Sequence, residues 1–323
     1  MTEESRHQVL PEDFIPSLAG GSRASRRYAA QMLGISEPGQ LGPFLLEAME
    51  RGTVPVRRAV SETLGRLHGA SLPGLPGAGA EEAADLSSIP YLDCLLMGVR
   101  DPDETTRVNS AGSLASLRES REAVEALALA LSDPSAPVRA AAARSLGRHW
   151  PSPEVRPPVS ALVQALGDAE PEVRKAAAGA LEYMRAPEAR TPLIGLLEDG
   201  SREVRIRAAL SLGALGAPEA VPLLIEVLRS GGLPSSSPAL YLCRMRAQEA
   251  LPELKAALKR FDPYGPQRTV AREIAKFGAS VAVPALCEAL EYGGDRKFRI
   301  DAIEVLEELG DRSAVPALAR ALG

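Results

Sequence analysis

Acids and arginines six residues apart recur along this chain, and their chemistry has to be accounted for first. Asp101 precedes Arg107, Asp133 precedes Arg139, Asp168 precedes Arg174, Asp199 precedes Arg205 and Asp262 precedes Arg268. A carboxylate and a guanidinium can grip each other as a bidentate pair; alternatively, a row of arginines can present an anion-binding track. Six residues exceed one helical turn, so the two are not neighbours on a helix face. The spacing instead puts the acid in a turn and the arginine in the first turn of the following helix. Matched acids favour the first chemistry, a structural ladder at the joints between repeated units. Near Ser237, where the arginine is missing, the preceding GGLPSSS contains no acid either.

Other chemistry finds no foothold. The three histidines, His7, His68 and His149, are none of them followed by Glu, which excludes repeated His–Glu metal sites. There is no GxxxxGK[ST] loop, and the GAG at 77–79 lacks a strand–loop–helix setting. No nucleophile elbow accompanies His68 or His149. Cys94, Cys243 and Cys287 are too scattered for a zinc cluster or a disulfide framework. The reading is therefore non-catalytic, with no metal and no cofactor. A net charge of −5 gives no general pull toward nucleic acid or anionic membranes. The opening MTEESRHQVLPEDF is too polar for a signal peptide, and no run of about 18 apolar residues occurs, so a cytoplasmic location is expected.

The elements that must position the ladder follow from its period. Arg26, Arg57, Arg107, Arg139, Arg174, Arg205, Arg268 and Arg299 are separated by 31, 50, 32, 35, 31, 63 and 31 residues. The gap of 63 is two periods with one arginine absent, and the gap of 50 is one period plus an insertion. Within each period an acid or glycine turn leads into a helix patterned VRxxAAxxLG, as in VRAAAARSLG (138–147), whose Val138, Ala141, Ala142, Ser145 and Leu146 share one side. Gly34, Gly65, Gly147, Gly213, Gly278 and Gly310 stand where such helices should stop. A second helix opens with proline in AVPLLIEVL (220–228), ALPELKAAL (250–258), AVPALCEAL (282–290) and AVPALARAL (314–322). Aromatic residues are only 4% of the chain, so small side chains must do much of the packing, and Ala141, Ala177 and Ala208 let neighbouring first helices close up. A hairpin this short cannot bury its apolar face alone and must stack on its neighbours.

These blocks, DPSAPVRAAAARSLG (133–147), DAEPEVRKAAAGALEYM (168–184) and DGSREVRIRAALSLGAL (199–215), resemble HEAT repeats, and more narrowly the short bacterial PBS-lyase HEAT-like variety. The resemblance implies an all-α fold, a right-handed α/α superhelix (a HEAT-like solenoid) of about nine helical hairpins. Residues 20–323 form the array, residues 1–19 a tail or cap, and GASLPGLPGAGAEEAADLSS (69–88) an inserted loop. It implies three functions that differ in kind: a scaffold or adaptor for another protein, a bilin lyase-like subunit for chromophore attachment or its chaperone, and a nucleic-acid-binding array. Few basic residues on the expected inner face and scarce aromatics argue against the last. For the lyase reading, Cys94 and Cys287 are the thiols near that face.

The solenoid analogy lines the concave surface with second helices. The outward positions along them read Leu/Met, Ala/Leu, Val/Gln and Gly/Leu from the second unit to the fifth, then turn polar with Glu226, Lys255, Glu288 and Arg320. An apolar stripe of this kind calls for a cover. The expected partner surface is Leu96, Met97, Leu129, Val163 and Leu196, with Trp150 as a corner anchor. Its occupant would be another protein, such as an amphipathic helix, or a second copy of the chain.

Overall fold

The computed structural model describes residues 11–19, 23–35, 40–67, 91–117, 120–148, 158–230, 237–259, 266–292 and 295–322. The 69–88 insertion, Trp150, Asp262 and the GGLP segment before Ser235 lie outside the described residues. The chain divides into two compact units, Met1–Ala180 and Leu181–Gly323. The first holds α1 (Pro11–Ala19), α2 (Arg23–Met32), α3 (Leu41–Arg51), α4 (Val54–Leu67), α5 (Tyr91–Gly98), α6 (Glu104–Leu114), α7 (Arg121–Ala130), α8 (Ala136–Arg148), α9 (Val159–Ala165) and most of α10 (Pro171–Met184). The second holds α11 (Arg190–Gly195), α12 (Arg202–Ala214), α13 (Val221–Ser230), α14 (Ser237–Arg244), α15 (Leu251–Lys259), α16 (Gln267–Glu273), α17 (Ala279–Tyr292), α18 (Arg296–Leu309) and α19 (Val315–Leu322). Among the described residues there is no strand. The fold is an all-α solenoid of helical hairpins, and from α2/α3 to α18/α19 the helices alternate as first and second members of a pair.

Packing follows this alternation inside each unit. In the first unit α4 packs on α6 and α6 on α8, while α3 packs on α5; α1 lies against α2 and α4 and buries Ile15 and Leu18 completely. The second unit repeats the scheme, with α14 on α16, α16 on α18, and α13, α15, α17 and α19 in succession. The helical spacing that brought Val138, Ala141, Ala142, Ser145 and Leu146 to one side also buries them. In the second unit Val221, Leu224 and Leu228 are the buried row of α13, and Phe298 is the largest fully buried side chain.

Three of the glycines expected to end helices do not: Gly65, Gly147 and Gly213 sit inside α4, α8 and α12. A Cβ on Gly147 would lie 2.7 Å from the Ala180 Cα, and one on Gly213 would lie 2.8 Å from the Tyr241 ring. Close approach of helices, not chain reversal, needs them. The left-handed turn (φ 71°) after α12 is made by Gly216, three residues later, and Gly34, Gly278 and Gly310 do take positive φ. The prolines also divide. Pro222, Pro252 and Pro316 stand second in α13, α15 and α19, each after a 3-10 turn, whereas Pro284 lies within α17, which begins five residues earlier.

Candidate functional site

Arg57, Arg107 and Arg139 leave the first turn of their helices and reach two places at once. Arg139 Nε and Nη2 donate to the two carboxylate oxygens of Asp168 at 2.7 and 2.8 Å, while Nη1 donates to the main-chain carbonyls of Asp133 and Pro134 at 2.9 and 3.1 Å. Arg107 does the same with the Asp133 carboxylate (2.9 and 3.1 Å) and the carbonyls of Asp101 and Pro102. Arg57 grips Asp101 at 2.5 and 3.2 Å and the carbonyl of Gly52 at 2.6 Å. The carboxylate therefore comes from the following unit, and the acid six residues upstream contributes its main-chain oxygen. Arg174 and Arg205 show that second contact with Asp168 and Asp199, at 2.8 and 2.7 Å.

The acids are equally occupied. Asp101, Asp133, Asp168 and Asp199 each accept a hydrogen bond from the backbone N–H two residues on, at 2.8 to 2.9 Å, which fixes the turn that carries them. The Arg139 fork holds the Asp168 carboxyl below its ordinary range, despite partial burial. With four of its five N–H groups engaged and its side chain only 16% exposed, Arg139 has little left for an anion from solution.

Other ionic contacts had no signal in the period, and three of them hold buried or half-buried acids. Arg58 pairs with Asp103 at 2.9 and 2.6 Å beside the Arg57–Asp101 pair, and Asp103 also caps α6 through the Thr106 N–H at 2.8 Å. In the second unit Glu182 accepts from the Tyr241 hydroxyl at 2.8 Å and from Arg207 at 3.1 Å; burial, followed by the Glu182 charge, pushes the Tyr241 hydroxyl up. Tyr241 belongs to α14, the first helix that lacks a ladder arginine. Arg268 and Arg272 both donate to Asp301, at 2.7 and 2.8 Å, and Asp301 lies inside α18, not in a turn. Burial raises its carboxyl, but the two guanidiniums outweigh that and lower it.

The expected partner residues lie as follows. Leu96 and Met97 on α5 and Val163 on α9 are half-buried, while Leu129 on α7 is 70% exposed, the most exposed large apolar side chain among the described residues. Leu196, in the second unit, is half-buried in the 3-10 turn after α11. In the first unit α5 packs against α7, which brings the Leu96–Met97 helix beside the helix that carries Leu129. Glu226, Glu288 and Arg320 are exposed and Lys255 is half-buried. Cys94 is fully buried and its thiol is pushed up to about 12, chiefly by burial, so it carries no thiolate at neutral pH. Cys287 is half-buried and its thiol is also raised by burial. Among the described residues no three metal-ligating side chains cluster, and no helix is long and apolar enough to cross a membrane.

Stacked helical hairpins tied by arginine forks define a helical-repeat protein. Sequence models of HEAT repeats match residues 92–161 and 159–232, and the PBS lyase HEAT-like repeat matches residues 298–323. The chain belongs to the HEAT-repeat family, and its last repeat, residues 298–323, is of the PBS-lyase type. No curated protein matches it in sequence. Among solved structures it is similar to YibA of Escherichia coli, at 18% identity over 83% of this chain and 92% of that one, with a TM-score of 0.54. An engineered protein is as similar, at 18% identity over 96% and 93% of the two chains and a TM-score of 0.53. Both likenesses show the fold alone. The complex of CpcE and CpcF of phycocyanin lyase from a Nostoc species, at 21% identity over 96% and 98% and a TM-score of 0.40, adds nothing to that.

Proposed function

We propose that the protein is a non-catalytic scaffold that binds another protein through the second helices of its first unit. The observation that supports this most is Leu129. A leucine 70% exposed on a helix whose other face is packed loses most of its hydrophobic stabilisation unless a partner covers it. Half-buried Leu96, Met97 and Val163 on the other second helices offer the partner further apolar area. An amphipathic helix of the partner suits such a surface, because its own apolar stripe is of similar width.

The test is capture from native lysate by the wild-type chain and by Leu129→Glu, with circular dichroism and melting recorded for both. A protein captured by wild type and lost with a variant of unchanged melting temperature supports the reading. Equal capture by the two chains would place the partner elsewhere. Sedimentation of wild type that shows a dimer, abolished by Leu129→Glu, would make the partner a second copy.

A further inference from the structure

We infer that the face formed by α4, α6 and α8 carries a binding site for a small phosphate ester bearing hydroxyl groups. A cleft of about 360 Å³ opens there, across the first helices of three successive hairpins, bordered by Glu62, Asn109, Gly112, Ser113, Arg144 and Arg148. It lies wholly within the first unit and uses none of the ladder residues. Its volume falls in the range of small-molecule sites.

Two arginines supply the anion-binding end. Arg144 and Arg148 are one turn apart on α8, so their side chains rise from Cβ atoms about 6 Å apart on one face and can converge on a single anion. Unlike Arg107 or Arg139, neither meets an acid or a carbonyl among the described residues. One fork saturates the two oxygens of a carboxylate, whereas the three terminal oxygens of a phosphate can accept from both forks. At the α4 side stands Glu62, tied to Arg66. Its charge repels a second anionic group but accepts hydrogen bonds from hydroxyls. Asn109 adds a donor and an acceptor, and Ser113, whose hydroxyl donates to the Ser61 carbonyl at 3.2 Å, still has lone pairs to accept with. An anion at one end and hydroxyls at the other describe a sugar phosphate or polyol phosphate.

Gly112 is the second, independent observation. It lies on the exposed side of the last turn of α6, two residues before Leu114. Gly147 and Gly213 are required by close neighbours, but a Cβ at Gly112 would meet nothing within 4 Å. No packing contact calls for a glycine, and the space left by its missing side chain is part of the cleft.

The experiment is calorimetric titration of the full chain with ribose 5-phosphate, glycerol 3-phosphate and inorganic phosphate. Wild type should bind one of the esters saturably at one site, at least tenfold more tightly than inorganic phosphate. Arg144→Gln/Arg148→Gln and Gly112→Leu should each weaken that binding at least tenfold. The second keeps every charge and only fills the floor. Arg185→Gln, an exposed arginine elsewhere, should leave it unchanged. Circular dichroism checks each fold, and Asn109→Leu replaces Gly112→Leu if the latter does not fold. No saturable binding to wild type overturns the site. Binding that survives in Gly112→Leu but falls with each arginine removed, Arg185 included, reveals attraction to surface charge and overturns it as well. Inorganic phosphate binding as tightly as both esters overturns the assignment of the hydroxyl end.

Discussion

At the scale of single residues, the decisive group is a guanidinium that faces two ways. Arg139 spends Nε and Nη2 on a carboxylate from the following hairpin and Nη1 on carbonyls from its own, and no other side chain has the planar fork to do both. Arg139→Ala should cost about 2 kcal/mol, because it strands a largely buried Asp168 carboxylate and two carbonyls. Arg139→Lys should recover less than half of that, since an ammonium meets one carboxylate oxygen at a time; urea unfolding of the three proteins measures it. The pH dependence has a definite sign. The Asp168 and Asp301 carboxyls are lower in the folded chain than in the unfolded one. Their contribution is whole above the unfolded value, about 4, and is lost as the pH falls through the folded values. The melting temperature should be level from pH 8 to 5 and drop below pH 4, and the drop should be shallower in Asp168→Asn. Burial predicts a further outcome: Cys94 and Cys243, both pushed up to about 12, should resist iodoacetamide at pH 8 in the native protein and react in urea.

At the scale of elements, the informative places are the turns that end first helices. Gly216 and Gly310 reverse the chain with positive φ, which costs glycine nothing. At comparable turns after α10 and α14 the chain has Arg185 and Arg246, with φ of 47° and 52°. A side chain in that region is strained by about 1 kcal/mol. Arg185→Gly and Arg246→Gly should therefore each stabilise the protein by up to about 1 kcal/mol, less what glycine's freedom costs in the unfolded chain. Gly213→Ala should act in the opposite direction, by about 1–3 kcal/mol, because the new methyl would overlap the Tyr241 ring. Thermal melts of the three variants separate glycine used for backbone freedom from glycine used for contact.

At the scale of the molecule, each hairpin depends on its neighbours, and an array needs something to cover its first face. α1 does this for the first unit by laying Ile15 and Leu18 against α2 and α4. Deleting residues 1–19 uncovers that surface and removes two fully buried side chains, a loss of about 4 kcal/mol. The truncated chain should melt earlier and bind a hydrophobic dye that the intact chain does not.

The periodic arginines, the VRxxAAxxLG blocks and the proline-led second helices were enough to read the hairpin, its repeat and the HEAT-like class, because helical burial depends on spacing within some thirty residues. The register of the outward positions was legible for the same reason at Leu129, Glu226 and Glu288. Which hairpin supplies the acid to each fork was not, since own-unit and next-unit aspartates stand at similar reach in a periodic chain and only stacking brings Asp168 to Arg139. Nor was the use of Gly147 and Gly213, where the motif suggested a stop and a neighbouring helix required a hole. Glu182 and Asp301 carried no periodic mark, and they pair across 59 and 33 residues with Tyr241 and Arg268. The sequence by itself determined the repeating element, because local periodicity dictates which face is apolar. Only the tertiary structure decided the partners across each joint, the cleft beside Gly112 and the half-burial of Leu96, Met97 and Val163, because those depend on how closely one hairpin settles onto the next.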